Sequence, residues 1–135
     1  MTALSQDRMT PERVPGNRTL PIKAATKVYA GGMGAIDASG WLVPMSTATT
    51  LKGVGRIERT INNAGANGDL SADVKVGVFR FANSSAGDLI TAADIGSDCY
   101  GVDDQTVAKT NGTNTRSVAG KVYDVDAQGV WVKFS

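Results

Sequence analysis

Short β-type runs separated by turn residues are the feature that most constrains how this 135-residue chain folds. Sixteen residues are glycine, and clusters of Gly, Asn and Asp recur at roughly eight- to twelve-residue intervals, as in small sandwiches and barrels. Glycine and asparagine tolerate the positive φ angles of tight turns and disfavour long helices. The pattern predicts a small, single-domain, all-β body and leaves barrel and sandwich open.

The clearest strand signal is DVKVGVFRFA at residues 73–82. Its apolar positions alternate with polar ones, but the phase slips by one residue at Gly77. A β-bulge shifts the facing of a strand in this way, so one continuous bulged strand is expected. A strand buried on both faces near its centre is the alternative.

Two further segments give firm local expectations. Residues 118–125 and 130–134 flank a turn at 126–129 and predict a hairpin. Within it, Val130, Val132 and Phe134 fall on one face because strand side chains alternate. Residues 62–69, NNAGANGD, read as a plain loop.

Residues 1–24 differ from residues 25–135, which form the predicted β-rich body. The first segment holds three of the four prolines, several charges and few large apolar side chains. Proline fixes φ, lacks an N–H donor and biases the preceding residue toward extended backbone. The sequence therefore predicts an extended N-terminal arm over 1–24, with Leu20 and Ile22 anchoring its end on the body.

Charge and composition exclude several functions. Residues 1–27 carry five bases and two acids, whereas the remainder carries nine bases and eleven acids. This asymmetry is too weak to predict nucleic-acid binding; it suits docking to an acidic protein surface and, equally, a solvated tail with incidental charge. No secretory h-region or run of about 20 apolar residues is present, so we expect synthesis in the cytoplasm and no membrane partner.

Candidate catalytic and metal-binding groups are few. The chain has no histidine and a single cysteine, Cys99, which excludes His-based catalytic pairs and Cys/His zinc sites. Residues 124–129 resemble half of an EF-hand loop, but Ser135 stands where the bidentate glutamate belongs, so a hairpin turn is favoured. Asp103 and Asp104 are interpreted as a solvated turn. We therefore predict no catalytic site, no cofactor and no metal.

The amino-acid sequences of several stretches resemble those of a family of head proteins of Mu-like and related tailed phages and prophages. These stretches are KVYAGGMGAIDASGWLVP (27–44), GVGRIERTINN (53–63), GVFRFANS (77–84), ADIGSDCYGVDDQTVAKTNGTNTRSVAGKV (93–122) and VDAQGVWV (125–132). They are similar to capsid decoration, or cement, proteins encoded close to the major capsid protein. The resemblance covers residues 20–135.

This resemblance implies a β-barrel or β-tulip-like module on the outer surface of the capsid in the virion. The implied partner is a major capsid protein of the HK97-type fold, and the implied assembly is a homo-trimer at local three-fold positions. An arm reaching over neighbouring capsid subunits would brace the shell against packaged DNA. The expected arm contacts are Arg8, Arg13, Arg18, Leu20 and Pro21.

Two other functions stay open from the sequence. One is a β-rich module that recognises a host surface glycan through an aromatic side chain such as Trp41 or Trp131. The other is a metal-dependent hydrolase built on aspartates, ranked last; its candidate residues are Asp103, Asp104, Asp124 and Asp126.

Overall fold

The computed structural model describes residues 2–135, in which nearly all regular structure is β. Two 3₁₀ turns lie at Ala86–Asp88 and Ala92–Asp94. The strands are β1 Asn17–Pro21, β2 Thr26–Val28, β3 Met33–Ile36, β4 Leu42–Pro44, β5 Lys52–Ile57, β6 Ile61–Asn63, β7 Ser71–Lys75, β8 Gly77–Phe81, β9 Asp98–Asp103, β10 Thr106–Ala108, β11 Val118–Asp126 and β12 Gly129–Phe134. The predicted small, single-domain, all-β class is confirmed.

Three sheets build the domain. The first has the order β1-β7-β5-β3-β4, the second β10-β9-β11-β12-β8, and the third pairs β2 with β6. Paired strands within each sheet are antiparallel. The sheets are not closed into a barrel, and the outer strands of each large sheet approach only at one isolated bridge.

Both five-stranded sheets have the same topology. Counted along the chain within each sheet, the order is first, fifth, fourth, second, third in both. The residue after the first strand forms a parallel bridge to the third strand in each sheet, Ile22 to Leu42 and Ala82 to Thr106. The sequence shows no such repeat, because strand pairing depends on backbone bonds and apolar alternation, which unlike sequences can share.

The apolar side chains form two clusters. One lies mainly under the second sheet and includes Phe81, Val132 and Phe134. The other lies against the opposite face of the first sheet and includes Ile22 and Ile57. Strand β3 separates them, since alternate side chains of a strand point to opposite faces. Its buried Met33 and Ala35 join the larger cluster.

The two large sheets touch where β5 crosses β11. An ideal Cβ built on Gly53 would lie less than 3.0 Å from three backbone atoms of Ala119. Only a residue without a side chain permits this approach. Gly53 therefore lies at a close crossing of the two strands.

The expected continuous strand over 73–82 is wrong. The chain leaves the first sheet after Lys75 and enters the second at Gly77, so β7 and β8 belong to different sheets. Gly77 has a φ of +149°, which favours glycine, and it redirects the chain between the sheets. The slip in apolar alternation is present, but it arises because the chain passes from one sheet to the other, as at the corners of packed sheets.

The predicted final hairpin is confirmed. β11 pairs with β12, and Val130, Val132 and Phe134 are all buried on one face. The plain loop predicted for residues 62–69 is partly wrong, because Asn62 and Asn63 complete β6. Asn63 is also one of the few buried polar residues of the described chain, 1% exposed.

Candidate functional site

The part of the chain with the fewest internal contacts is residues 2–16, here called the arm segment. It contains no strand or helix, and residues 2–15 are all exposed. Within residues 2–135, the hydrogen bonds of residues 2–15 join only Arg8 and Thr10 to each other. Residues 2–15 of the arm segment are therefore available to a partner.

The arm segment carries both charged and apolar groups that a partner can bind. Arg8 and Arg13 form no ion pair within the described chain. Three large apolar side chains, Leu4, Met9 and Val14, are 73%, 96% and 84% exposed. Apolar side chains spaced along an extended segment suit anchoring in pockets beside a sheet edge.

The arm segment is rooted on an edge strand. The Gly16 carbonyl accepts a hydrogen bond from the Val76 amide at 3.1 Å, and β1 follows directly. β1 pairs with β7 on one side only and ends with Pro21, a residue tolerated on sheet edges. A small cavity of about 150 Å³ lies at this root, lined by Arg13, Val14, Pro15, Gly16, Asn17, Arg18, Val76 and Ser135.

The five predicted arm contacts fall into two groups. Arg8 and Arg13 lie in the exposed arm segment, whereas Arg18, Leu20 and Pro21 belong to β1 and are half-buried. The Arg18 Nη2 donates to the Val54 carbonyl at 3.3 Å, and Leu20 packs on the smaller apolar cluster. The anchoring residue Ile22 is fully buried. Within the predicted 1–24 segment, β1 is thus already part of a sheet.

Two of the four aspartates considered for chemistry, Asp103 and Asp126, accept hydrogen bonds that hold turns. The Asp103 carboxylate accepts the Gln105 amide at 2.9 Å between β9 and β10. Asp126 accepts the Trp131 indole N–H at 2.9 Å and the Gln128 amide at 2.8 Å. The indole hydrogen bond, followed by that amide, lowers the pKa of Asp126. Among residues 2–135, no group of three or more metal-ligating side chains is placed to hold an ion.

Cys99 is a packing residue. Its side chain is buried in the larger apolar cluster, and burial raises the pKa of the thiol to about 11. Since the thiolate is the nucleophilic form, burial and the raised pKa both favour a packing role for Cys99 over a nucleophilic one.

Asp88 fastens the loop at residues 109–116 to the first 3₁₀ turn. Its carboxylate accepts the Thr110 hydroxyl at 2.5 Å and pairs with the Arg116 guanidinium at 3.2 Å. The Thr110 hydrogen bond is the main cause that lowers the pKa of Asp88; desolvation opposes it, and the hydrogen bond and charge of Arg116 lower the pKa further.

Replacing Asp88 with Asn should lower the stability of the protein at pH 7 and matter less in acid. A lowered folded-state pKa contributes stability above the unfolded pKa of about 4, and this is lost as pH falls through the folded value. Urea unfolding of both proteins from pH 7 to pH 2.5 measures the difference. A difference that is constant with pH would contradict the role of this carboxylate.

The two tryptophans are both half-buried. Trp41 packs against Gly68, and Trp131 lies on the outer face of the second sheet. The Arg80 guanidinium sits 5.7 Å from the Trp131 ring centroid and donates to Gln128. Arg80, Asp126, Gln128 and Trp131 therefore form one ordered array of aromatic and polar groups.

No family model, curated protein or solved structure matches this chain. Among residues 2–135, no helix is long and apolar enough to cross a membrane.

Proposed function

We propose that this chain is a non-enzymatic structural protein of a tailed-phage head, a decoration or cement protein. It binds the outside of a lattice of major capsid protein with the HK97-type fold and stabilises the shell against packaged DNA. Its place in the virion is the outer capsid surface, and its working assembly is a trimer. The resemblance of residues 20–135 to head proteins motivates this proposal.

The arm segment is the observation that carries the proposal. Its residues make almost no contact with the body, yet they include two unpaired arginines and three exposed apolar side chains. An ordered body with a segment that forms no strand or helix of its own is the arrangement expected when the segment binds another protein by adding to a sheet edge.

The length of the arm segment suits contact beyond the body's own footprint. Fifteen residues in extended conformation reach at most about 50 Å. Three arms in a trimer would bind one after another at high effective concentration, which raises the overall affinity without new contacts. Each bound copy would join neighbouring capsid subunits, so more contacts must break before the shell opens.

Deleting residues 2–16 should abolish tight binding to capsids. The measurement is co-sedimentation of the purified protein with expanded heads, lacking the protein, of the phage that encodes it. The full chain should bind saturably at a simple fraction of the capsid-protein copy number. The truncated chain should bind at least about tenfold more weakly, because the arm contacts are lost.

Double substitutions distinguish the contribution of the arm arginines to binding from the effect of overall charge. The double variant Arg8→Ala/Arg13→Ala should weaken binding, and the loss should shrink at high salt because exposed charges are screened. The control Arg59→Ala/Lys27→Ala removes the same charge from exposed strand and loop positions of the body. Equal binding by the full and truncated chains would refute the arm mechanism. No binding of the full chain to heads would refute decoration and favour glycan recognition by the Trp131 array.

A further inference from the structure

A groove of about 850 Å³ opens between the two large sheets beside the crossing of β5 and β11. The first sheet contributes Lys52 and Gly53, and the second contributes strand residues of β9, β11 and β12. Loop residues before β5 and before β11 also line the groove. A register irregularity in β11 at Ala119 lies on its floor, and such bulges often border binding sites.

The groove concentrates positive charge. Its lining side chains include four bases and one acid, Asp98, whereas the whole chain has a net charge of only +1. Two of the bases are neutralised: Arg116 pairs with Asp88 at 3.2 Å and Lys121 pairs with Asp98 at 2.8 Å. The remaining two bases are therefore the ones available to a ligand.

Lys52 and Lys133 are these two bases. Both are exposed, and neither forms an ion pair within residues 2–135. Lys133 lies directly opposite Lys121 across the β11–β12 ladder, an arrangement of like charges that is unfavourable without a counter-charge. Asp98 already forms an ion pair with Lys121, so a second anion is needed to neutralise Lys133.

Apolar surface lies beside these lysines. Val118 is 41% exposed, and Tyr100 and Leu51 are half-buried in the same lining. A small inorganic anion would leave this surface uncovered. An extended peptide with alternating acidic and apolar side chains matches both the charge and the apolar contacts.

We propose that this groove binds an acidic, extended peptide segment of a protein partner. Carboxylates of the segment pair with Lys52 and Lys133, and an apolar side chain between them covers Val118 and Tyr100. The arm segment of a second copy is a poor occupant, because its two arginines are matched by only two acids, Asp7 and Glu12. The proposal does not depend on the decoration function, since the groove residues are separate from the arm segment.

Fluorescence anisotropy with a fluorescein-labelled nonapeptide of alternating Glu and Leu tests the site on the full chain. We expect saturable binding that weakens with salt, and at least about tenfold weaker binding when Gln replaces every Glu. The double variant Lys52→Ala/Lys133→Ala should also lose about tenfold. The control Lys27→Ala/Lys75→Ala removes the same charge from exposed strand positions outside the groove and should bind as the unmodified chain does.

A charge-reversal variant distinguishes loss of the binding site from loss of the fold. Lys52→Glu/Lys133→Glu should reject the Glu/Leu peptide and bind the corresponding Lys/Leu peptide, with an unchanged thermal unfolding midpoint. Unchanged binding of the acidic peptide by either double variant would overturn the proposal. Displacement of the peptide by a sulfated oligosaccharide that binds more tightly would also overturn it, in favour of an anionic glycan.

Discussion

Gly53→Ala is expected to lower the free energy of unfolding by about 3 kcal/mol, near the upper end for overpacked positions. The added methyl group would overlap the backbone of Ala119 where β5 crosses β11. Backbone atoms cannot rotate away as the end of a long side chain can, so the two sheets must separate. Chemical denaturation of both proteins measures the loss, and the groove peptide should bind the variant more weakly because its floor has moved.

Gly16→Ala is the matched control for this substitution. A Cβ on Gly16 meets no atom within 4 Å, and its φ lies outside the range that favours glycine. We therefore expect a change within about 0.5 kcal/mol, as at ordinary surface positions. If both alanine variants were equally stable, the sheets would not meet at Gly53 as described.

Asn63→Asp should destabilise the protein by about 3 kcal/mol at pH 7, through the cost of an unsatisfied buried charge. The Asn63 Nδ2 lies at 3.0 Å, 3.2 Å and 3.0 Å from the carbonyl oxygens of Ile22, Lys23 and Ala66. Aspartate has nearly the same shape but presents an oxygen to these acceptors. Thermal and urea unfolding measure the difference.

The effect of this substitution should depend on pH. Burial against carbonyl oxygens raises the folded-state pKa of the new carboxyl group, so protonation in acid restores a donor and reduces the loss. Asn62→Asp is the control, since Asn62 is exposed on the same strand and lies opposite Lys27. Equal effects at positions 62 and 63 would show that the buried amide does not fasten β6 to the end of β1.

Local patterns predicted the final hairpin well. Alternation placed Val130, Val132 and Phe134 on one face, and turn residues placed the chain reversal between the two strands of the hairpin. The same reasoning failed at residues 73–82, where the slip in alternation at Gly77 was interpreted as a bulge within one strand although the chain changes sheets there. Alternation indicates which face of a strand is buried, but it does not indicate which sheet the strand joins.

The candidate sites were accessible to sequence reasoning to different degrees. Prolines predicted a segment without helix, because proline constrains the local backbone, and residues 2–16 contain neither strand nor helix. The arm's end at β1, with Arg18 and Leu20 turned to the body, depends on pairing with β7 from a distant part of the chain. Asn63 gave no signal at all, since asparagine next to Gly-rich sequence is equally typical of an exposed loop.

The sequence by itself determined the all-β class, the positions of most turns, and the lack of histidine-based chemistry. These follow from composition and from periodicity over a few residues. Only the tertiary structure decided that two sheets share one strand order, that they cross at Gly53, and that Lys52 and Lys133 line one groove. Such features arise from contacts between residues far apart in the chain. A single sequence contains both residues of each contact but does not show that they lie close together.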